Sequence, residues 1–214
     1  MPIEPIMRTD DHHIEKHRRI MDMTGKDNVD SVFIGDSLTR RWEDNPDLWN
    51  RFFGSFRPAN LGFGGDTLEN ILWRMENGEL EGMNPSVAVI LAGTNNIGTH
   101  DNVYILDRLA DICGSIETRL SDAKLLVVGI LPRDRDETGI DYGSRITDIN
   151  KGLRGLCARK GYAFLDPGSR FLTDEGRPDR NLLPDGLHLD AAGYSILGPL
   201  LSAEISKILR GAST

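Results

Sequence analysis

The chain alternates short apolar runs with longer segments in which apolar residues recur at helical spacing. The short runs are rich in β-branched residues, which is typical of buried strands. They predict strands at Ser31–Ile34, Ala59–Leu61, Val87–Leu91, Leu125–Ile130 and Tyr162–Leu165. Because strands that alternate with helices build βαβ units, the pattern predicts an α/β fold on a parallel sheet.

The longer segments predict four amphipathic helices. Their apolar positions span Leu68–Met75, Val103–Leu120, Ile146–Cys157 and Leu197–Ile208. The first has Asp66 or Thr67 as its N-cap and ends near Gly78, in line with the usual capping preferences. A spacing of three and four residues gives each helix one apolar stripe, which we expect to pack on the sheet.

Residues 1–28 predict an N-terminal helical extension packed on the domain. We expect its helix to run through Met23 and to pack loosely on the outside. His12, His13 and His17 lie among charged residues in this segment, so we expect all three at the surface.

Composition narrows the class of protein. With 214 residues, 39% hydrophobic and 27% charged, we expect a single globular domain over residues 1–214. The net charge of −8 provides no basic field for a nucleic acid, which we do not expect as a partner. The longest apolar run is too short for a membrane span, and no secretory signal begins the chain, so a cytoplasmic location is expected. Cys113 and Cys157 lie at apolar helical positions, which favours buried thiols over a disulfide.

Polar segments follow three of the predicted strands at their carboxyl ends, where open α/β sheets bind ligands. Gly35–Leu38 places Ser37 at a strand-to-helix turn, which suits a nucleophile as well as an ordinary helix cap. The glycine-rich segment Asn60–Thr67 offers free N–H groups to an anion or an oxyanion. Gly93–Asn96 offers an asparagine amide as a second donor, or forms a simple turn.

The segment Asp185–His188 carries the clearest chemical signal. An acid and a histidine three residues apart fit a general base and the acid that fixes its tautomer. His100, after the third strand, is the rival base. A metal site of His188, Asp185, Asp36 and Asp66 is an alternative, but the chain lacks HxH and HExxH patterns, and we expect neither metal nor cofactor.

These segments, taken in order, resemble a known superfamily. GDSL at Gly35–Leu38, the turn Gly64–Asp66, GTNN at Gly93–Asn96 and DGLH at Asp185–His188 resemble the four blocks of the SGNH (GDSL-type) serine hydrolases. The resemblance is closer still to the catalytic subunits of intracellular platelet-activating-factor acetylhydrolase, because NLGFGGDT, ILWRMENGEL and GILPR look like segments of that family. It covers most of the chain and implies a flavodoxin-like three-layer α/β/α sandwich with a five-stranded parallel sheet.

The resemblance also implies a role for each matched residue. Ser37 is expected to be the nucleophile, His188 the general base and acid, and Asp185 the residue that orients His188. The implied oxyanion hole consists of the Ser37 N–H, the Gly65 N–H and the Asn95 side chain. The implied acyl pocket consists of Leu38, Thr94 and Leu187. The implied reaction is hydrolysis of short, acetyl-type carboxylic esters without a cofactor.

The sequence leaves several alternatives open. A lipid-type acetyl ester and an acetylated sugar both fit as substrates, and an alcohol can replace water as the acyl acceptor. An alternative from a different class is a non-catalytic flavodoxin-like module that binds a ligand on the glycine turn, although it leaves DGLH unexplained. The resembled subunits pair, which implies a homodimer. Residues Pro132–Asp141 predict either a flap over the site or a solvated loop.

Overall fold

Five parallel strands form one sheet in the computed structural model, which describes residues 4–23, 26–134 and 139–211. The strands are β1 (Ser31–Gly35), β2 (Pro58–Gly62), β3 (Val87–Leu91), β4 (Lys124–Val128) and β5 (Ala163–Leu165). They pair in the order β2-β1-β3-β4-β5, and every pairing is parallel. This is the strand order of flavodoxin-like doubly wound sheets, and it confirms the predicted α/β fold.

Helices cover both faces of the sheet. In the described ranges they are α1 (Asp11–Met21), α2 (Ser37–Arg40), α3 (Pro46–Phe53), α4 (Leu68–Glu76), α5 (Asn102–Arg119), α6 (Gly143–Lys160) and α7 (Ala191–Gly211). Side chains of α1, α4, α5 and α6 join a core on one face, and those of α2, α3 and α7 join a core on the other. The result is the expected three-layer sandwich. No helix within these ranges combines the length and apolar character that crossing a membrane requires.

The two cores follow from the alternation of side chains along each strand. Val32 and Ile34 of β1 belong to one core, and Phe33 between them belongs to the other. Because both faces are covered, apolar residues occupy consecutive positions, which explains the continuous apolar runs in the sequence.

Two predicted strands extend beyond the ends that the structure gives them, whereas β1 is one residue longer than predicted, β2 is one residue longer at each end and β4 begins one residue earlier. The strand predicted to reach Ile130 ends at Val128, because the Ile130 N–H donates to Asn150 Oδ1 at 2.8 Å rather than to a neighbouring strand. The strand predicted from Tyr162 begins at Ala163, because the Tyr162 N–H still donates to the Cys157 carbonyl at the end of α6. In both places a hydrogen bond to a helix replaces the ladder.

Helix α1 packs more tightly than predicted. The expectation that its histidines lie at the surface is wrong for His13, which is 2% exposed, whereas His12 is exposed. His13, Lys16 and Ile20 recur at helical spacing and form one buried face. Polar residues occupy two of these positions because the face meets a turn rich in carbonyl and carboxylate oxygens, which hydropathy alone does not reveal.

Two further predictions concern the cysteines and the loop after β4. Cys113 and Cys157 are buried free thiols, as predicted. Of the loop Pro132–Asp141, residues 135–138 lie outside the described residues, so the choice between a flap and a solvated loop stays a prediction.

Glycine at the end of β2 lets α2 approach the sheet. A Cβ on Gly62 would lie 2.3 Å from the Arg40 nitrogen and 2.6 Å from the Thr39 carbonyl carbon. Both are backbone atoms, so no side-chain rotation relieves the clash. The end of β2 therefore fixes where α2, the helix that begins with Ser37, lies on the sheet.

We predict that Gly62→Ala destabilises the fold by about 1–3 kcal/mol, the usual cost of forcing extra atoms into a packed interior. The matched control is Gly114→Ala, because a Cβ on Gly114 in α5 meets nothing within 4 Å. Alanine there should raise stability by roughly 0.5–1 kcal/mol through helix propensity. Urea denaturation of both variants measures the difference; equal stability changes would contradict the close approach.

Candidate active site

The predicted polar segments meet at the carboxyl ends of β1, β2 and β3. In the order β2-β1-β3, the chain leaves β1 toward one side and β3 toward the other, which opens a crevice at this edge. Gly35–Leu38 follows β1, the glycine turn follows β2 and Gly93–Asn96 follows β3. Asp185–His188 precedes α7 and comes to the same edge.

Ser37 is held rigidly at the start of α2. The Asp36 carboxylate caps this helix by accepting the Leu38 N–H at 2.9 Å. The buried Tyr194 hydroxyl donates to the Leu38 carbonyl at 2.7 Å, which ties α2 to α7. Ser37 itself keeps 8% exposure, so its hydroxyl is fixed but reachable.

A hydroxyl, an imidazole and a carboxylate lie in line. Ser37 Oγ is 2.9 Å from His188 Nε2, and His188 Nδ1 is 2.7 Å from Asp185 Oδ2. This arrangement is able to take a proton from a serine hydroxyl and to stabilise the imidazolium that results. The predicted rival, His100, instead stacks on Tyr104 with ring centroids 4.1 Å apart.

The turn that carries Asp185 and His188 is fixed by its own backbone. Asp185 Oδ1 accepts the N–H groups of Leu187 at 2.9 Å and His188 at 2.7 Å. Gly186 between them adopts a φ of +78°, which favours glycine. Partial burial alone would raise the Asp185 pKa, but the hydrogen bonds from the His188 backbone and ring and from Leu187 lower it to about 2. Asp185 is therefore ionised at neutral pH.

Backbone N–H groups are available beside this line. The Ser37 N–H and the Gly65 N–H donate no hydrogen bond to any part of the chain that the structure describes, whereas the Leu38 N–H is taken by Asp36. The Asn95 amide donates to the Asp66 carbonyl at 2.8 Å, which joins the segment after β3 to the glycine turn. An amide group has two N–H donors, so the second stays available.

The residues expected to form an acyl pocket flank the same groups. Leu38 and Thr94 are buried, and Leu187 is half-buried. Leu38 directly follows Ser37, and Leu187 directly precedes His188. The Thr94 carbonyl accepts a hydrogen bond from Arg133 at 2.9 Å, which connects this segment to the end of β4.

A cavity of about 470 Å³ lies farther along the sheet edge, beyond β4 and β5. Arg133, Asp134 and Asp166 are among its lining residues, and Ser37, Asp185 and His188 are not. The Asp134 N–H donates to the Gly186 carbonyl at 2.6 Å, so one wall of the cavity supports the Asp185–His188 turn. Among the described residues, including His188, Asp185, Asp36 and Asp66, no cluster of three or more His, Cys, Asp or Glu side chains is arranged to hold a metal.

The chain is similar in sequence to known proteins. Residues 33–196 match the model of the GDSL-like lipase/acylhydrolase family. The chain belongs to this family. The human platelet-activating factor acetylhydrolase IB subunits alpha1 and alpha2 are 33% and 31% identical over 195 and 204 residues. These alignments cover 91% and 94% of this chain and 81% and 86% of the relatives.

The fold is shared with solved GDSL structures. A GDSL-like lipase from Bacteroides thetaiotaomicron superposes with a TM-score of 0.74 at 18% identity, covering 92% of this chain and 96% of the other. Family membership and these relatives confirm the predicted carboxylic ester hydrolase, whose substrate is a small molecule.

This acylhydrolase contains a buried ionic cluster that the sequence patterns did not predict. The fully buried Arg74 guanidinium contacts Asp66 Oδ2 at 2.8 Å, Glu79 Oε2 at 2.5 Å and the Gly35 carbonyl at 3.3 Å. It also lies 3.9 Å from the centre of the Phe63 ring. Arg74 lies on the buried, apolar face of α4 together with Ile71. A single arginine among apolar positions of a helix is the sequence feature that would have predicted this cluster.

Asp36 is another buried acid at this edge. Burial, with a further contribution from the nearby Asp66 charge, raises the Asp36 pKa to about 7. Its Oδ1 accepts the Leu38 N–H, and its Oδ2 has no hydrogen-bond partner in the described structure. The residue beside Ser37 therefore carries little negative charge below neutral pH.

We predict that Asp36→Asn flattens the pH dependence of stability. The folded wild type keeps a proton up to about pH 7 that the unfolded chain releases near 3.8, so its unfolding free energy falls as pH rises across this window. Asparagine retains an acceptor for the Leu38 N–H and does not titrate. From pH 4 to 8 the wild type should lose roughly 4 kcal/mol relative to the variant. Chemical denaturation at several pH values tests this, and parallel curves would refute the raised pKa.

Proposed function

We propose that this acylhydrolase is a serine esterase for short, acetyl-type esters, with Ser37 as nucleophile, His188 as base and acid, and Asp185 as the residue that orients His188. The observation that carries the proposal is the continuous line from Ser37 Oγ to His188 Nε2 at 2.9 Å and from His188 Nδ1 to Asp185 Oδ2 at 2.7 Å.

Acylation begins when Ser37 Oγ forms a bond to the ester carbonyl carbon while its proton moves to His188 Nε2. The carbonyl oxygen becomes an oxyanion in a tetrahedral intermediate. When the intermediate collapses, the bond to the alcohol oxygen breaks and the alcohol leaves with the proton from His188. Asp185, ionised because its pKa is about 2, stabilises the imidazolium between these transfers.

Deacylation repeats the sequence with water. His188 takes a proton from a water molecule, whose oxygen attacks the acyl carbon, and the bond to Ser37 Oγ breaks as His188 returns the proton to it. The product is a carboxylic acid. An alcohol in place of water would give acyl transfer by the same steps.

The oxyanion hole in this proposal consists of the Ser37 N–H, the Gly65 N–H and the Asn95 amide. Three features support it: both N–H groups lack another acceptor in the described structure, Asp36 occupies the competing Leu38 N–H, and the Asp66 carbonyl holds the Asn95 amide. Fixed donors of this kind are effective because they need no reorganisation as charge develops.

Short acyl groups are favoured because the acyl end meets Leu38, Thr94 and Leu187. Two of these side chains are buried, and all three lie beside catalytic groups in sequence, which leaves the acyl chain little room. For the leaving group we propose a lipid-type acetyl ester, since the relatives are named platelet-activating factor acetylhydrolase subunits. Acetylated sugars are the alternative to be tested alongside.

Two expectations about assembly and location stay predictions. The relatives are named as subunits, which supports a homodimer for this chain. The cytoplasmic location rests on the sequence alone. Light scattering of the purified protein tests whether it is a homodimer.

We predict that Ser37→Ala lowers the turnover of p-nitrophenyl acetate by on the order of 10⁶-fold, as nucleophile removal does in serine proteases. It should also abolish labelling by a fluorophosphonate probe. Ser86→Ala is the matched control, because Ser86 is exposed just before β3, at the opposite end of the sheet. The same assay compares a platelet-activating-factor analogue with acetylated xylose.

The outcomes separate the alternatives. Normal turnover by Ser37→Ala would refute the mechanism. Absence of probe labelling in the wild type, together with thermal protection by a nucleotide, would favour the non-catalytic binding module. Faster hydrolysis of acetylated xylose would identify a carbohydrate O-acetylesterase.

We predict that kcat/KM falls steadily from p-nitrophenyl acetate to the octanoate, and that Leu187→Ala moves the preference toward longer chains. A leucine truncation removes about 2–3 methylene-sized groups from the pocket, each worth about 0.8 kcal/mol of apolar contact. Leu172→Ala is the control, because Leu172 is 36% exposed and does not adjoin Ser37 or His188 in sequence. A wild-type optimum at eight carbons or more would refute the small pocket.

A further inference from the structure

The turn after β2 is a two-glycine turn whose central peptide carries the proposed oxyanion donor. Phe63, Gly64, Gly65 and Asp66 form the turn, closed by the Asp66 N–H donating to the Phe63 carbonyl at 3.4 Å. Gly65 has a φ of +77°, the value that a type II turn requires at its third position. The Gly64 carbonyl and the Gly65 N–H belong to the same planar peptide, so they point in opposite directions.

This peptide is able to take a second orientation. A type I turn has the same end points, but its central peptide is rotated by about half a turn, and glycine accepts either form. In the rotated form the Gly65 N–H would point where the Gly64 carbonyl now points. Something must therefore hold the peptide if Gly65 is to serve as an oxyanion donor.

Arg8 contacts the carbonyl side of this peptide. Its Nη1 donates to the Gly64 carbonyl at 2.5 Å and to Asp66 Oδ1 at 3.2 Å. Its Nε donates to Asp10 Oδ2 at 2.9 Å, and the side chain is 29% exposed. The guanidinium is thus fixed by two carboxylates while it bonds the turn.

Arg8 belongs to a segment that we call the N-terminal strap, residues Ile6–Lys16. At one end the Ile6 N–H donates to the Glu69 carbonyl at 3.2 Å, and Asn70 Nδ2 donates to the Ile6 carbonyl at 2.9 Å. At the other end Lys16 Nζ donates to the Gly62 carbonyl at 2.6 Å. The strap is therefore attached on both sides of the turn.

His13 fills the space between these ends. Its ring packs on Phe63 with centroids 4.6 Å apart, and its Nδ1 lies 3.4 Å from Asp66 Oδ1. Burial and the charges of Arg74 and Arg8 lower the His13 pKa to about 4, so the ring is neutral at neutral pH. The strap lies before residue 33, outside the part of the chain that matches the family model.

We propose that Arg8 is a positioning residue for ester hydrolysis: by bonding the Gly64 carbonyl, it holds the Gly64–Gly65 peptide with the Gly65 N–H directed to the oxyanion. The proposal rests on the oxyanion hole of the proposed function. Arg8 stays on the far side of the peptide from the reacting carbonyl and acts through the turn.

Steady-state kinetics with p-nitrophenyl acetate test this proposal in the full chain. Arg8→Ala should lower kcat by about 10-fold or more while KM changes less than about 2-fold, because the donor acts on the transition state. Asn95→Ala sets the scale, since losing one complete donor costs about 10²–10³-fold in kcat. Arg8→Lys should recover most of the activity, because an ammonium is able to donate to the same carbonyl.

Two controls separate positioning from folding. Arg18→Ala removes an exposed arginine from α1, the helix that follows Arg8, and should leave kcat unchanged. Titration of active sites with the fluorophosphonate probe gives kcat per folded enzyme, so a merely unstable variant would show normal kcat at reduced titre.

The outcomes are distinguishable. If Asn95→Ala loses activity and Arg8→Ala keeps a normal kcat per titrated site, the role of Arg8 is refuted and the proposed function stands. If Arg8→Ala and Arg8→Lys lose activity equally, donation to Gly64 is not the cause and the proposal is also refuted. If neither Asn95→Ala nor Ser37→Ala loses activity, the proposed function itself fails.

Discussion

The contact between Arg74 and two buried carboxylates is the interaction on which this edge of the molecule depends. A fully buried guanidinium is costly unless each of its donors finds an acceptor. Asp66, Glu79 and the Gly35 carbonyl supply those acceptors, from the turn after β2, the segment after α4 and the end of β1. The Arg74 side chain therefore holds three separate backbone segments in fixed positions relative to one another, and two of these segments adjoin the active site. Removing one partner would leave a buried charge uncompensated, so the cluster is kept or lost as a unit.

The need to bury this ionic cluster also explains why the inner face of α1 is polar. The ionic cluster lies near β2, the edge strand of the sheet. Burying the cluster there requires a covering segment that tolerates charge. Lys16 provides this, because its Nζ bonds both Glu43 and the Gly62 carbonyl while its side chain is 3% exposed. Burial lowers the Lys16 pKa, and Glu43 opposes that shift. The polar residues on the inner face of α1 thus match the polar surface beneath them, as apolar residues match the sheet elsewhere.

The sequence predicted what is encoded locally and missed what is encoded at a distance. Strand runs, helix stripes and the Asp185–His188 spacing each lie within a few residues, so the α/β fold and the pairing of acid with histidine could be read directly. Ser37 and His188 are 151 positions apart, and the sequence could connect them only because parallel strands bring their carboxyl ends together. No such rule connects Arg8 to Gly64 across 56 residues or Lys16 to Gly62 across 46. Hydropathy therefore assigned α1 to the surface.

Two carboxylates near Ser37 experience opposite environments, and each environment is compatible with the proposed mechanism. Asp185 receives three hydrogen bonds from its own turn, is partly exposed and stays ionised, which suits a group that must stabilise an imidazolium. Asp36 is fully buried, accepts one N–H and has a pKa raised to about 7, so it carries less negative charge beside the position where an oxyanion would form. An ionised carboxylate there would oppose the oxyanion, since charges interact more strongly where water is excluded. The environment of each acid, rather than its residue type, thus decides which of the two can assist the reaction.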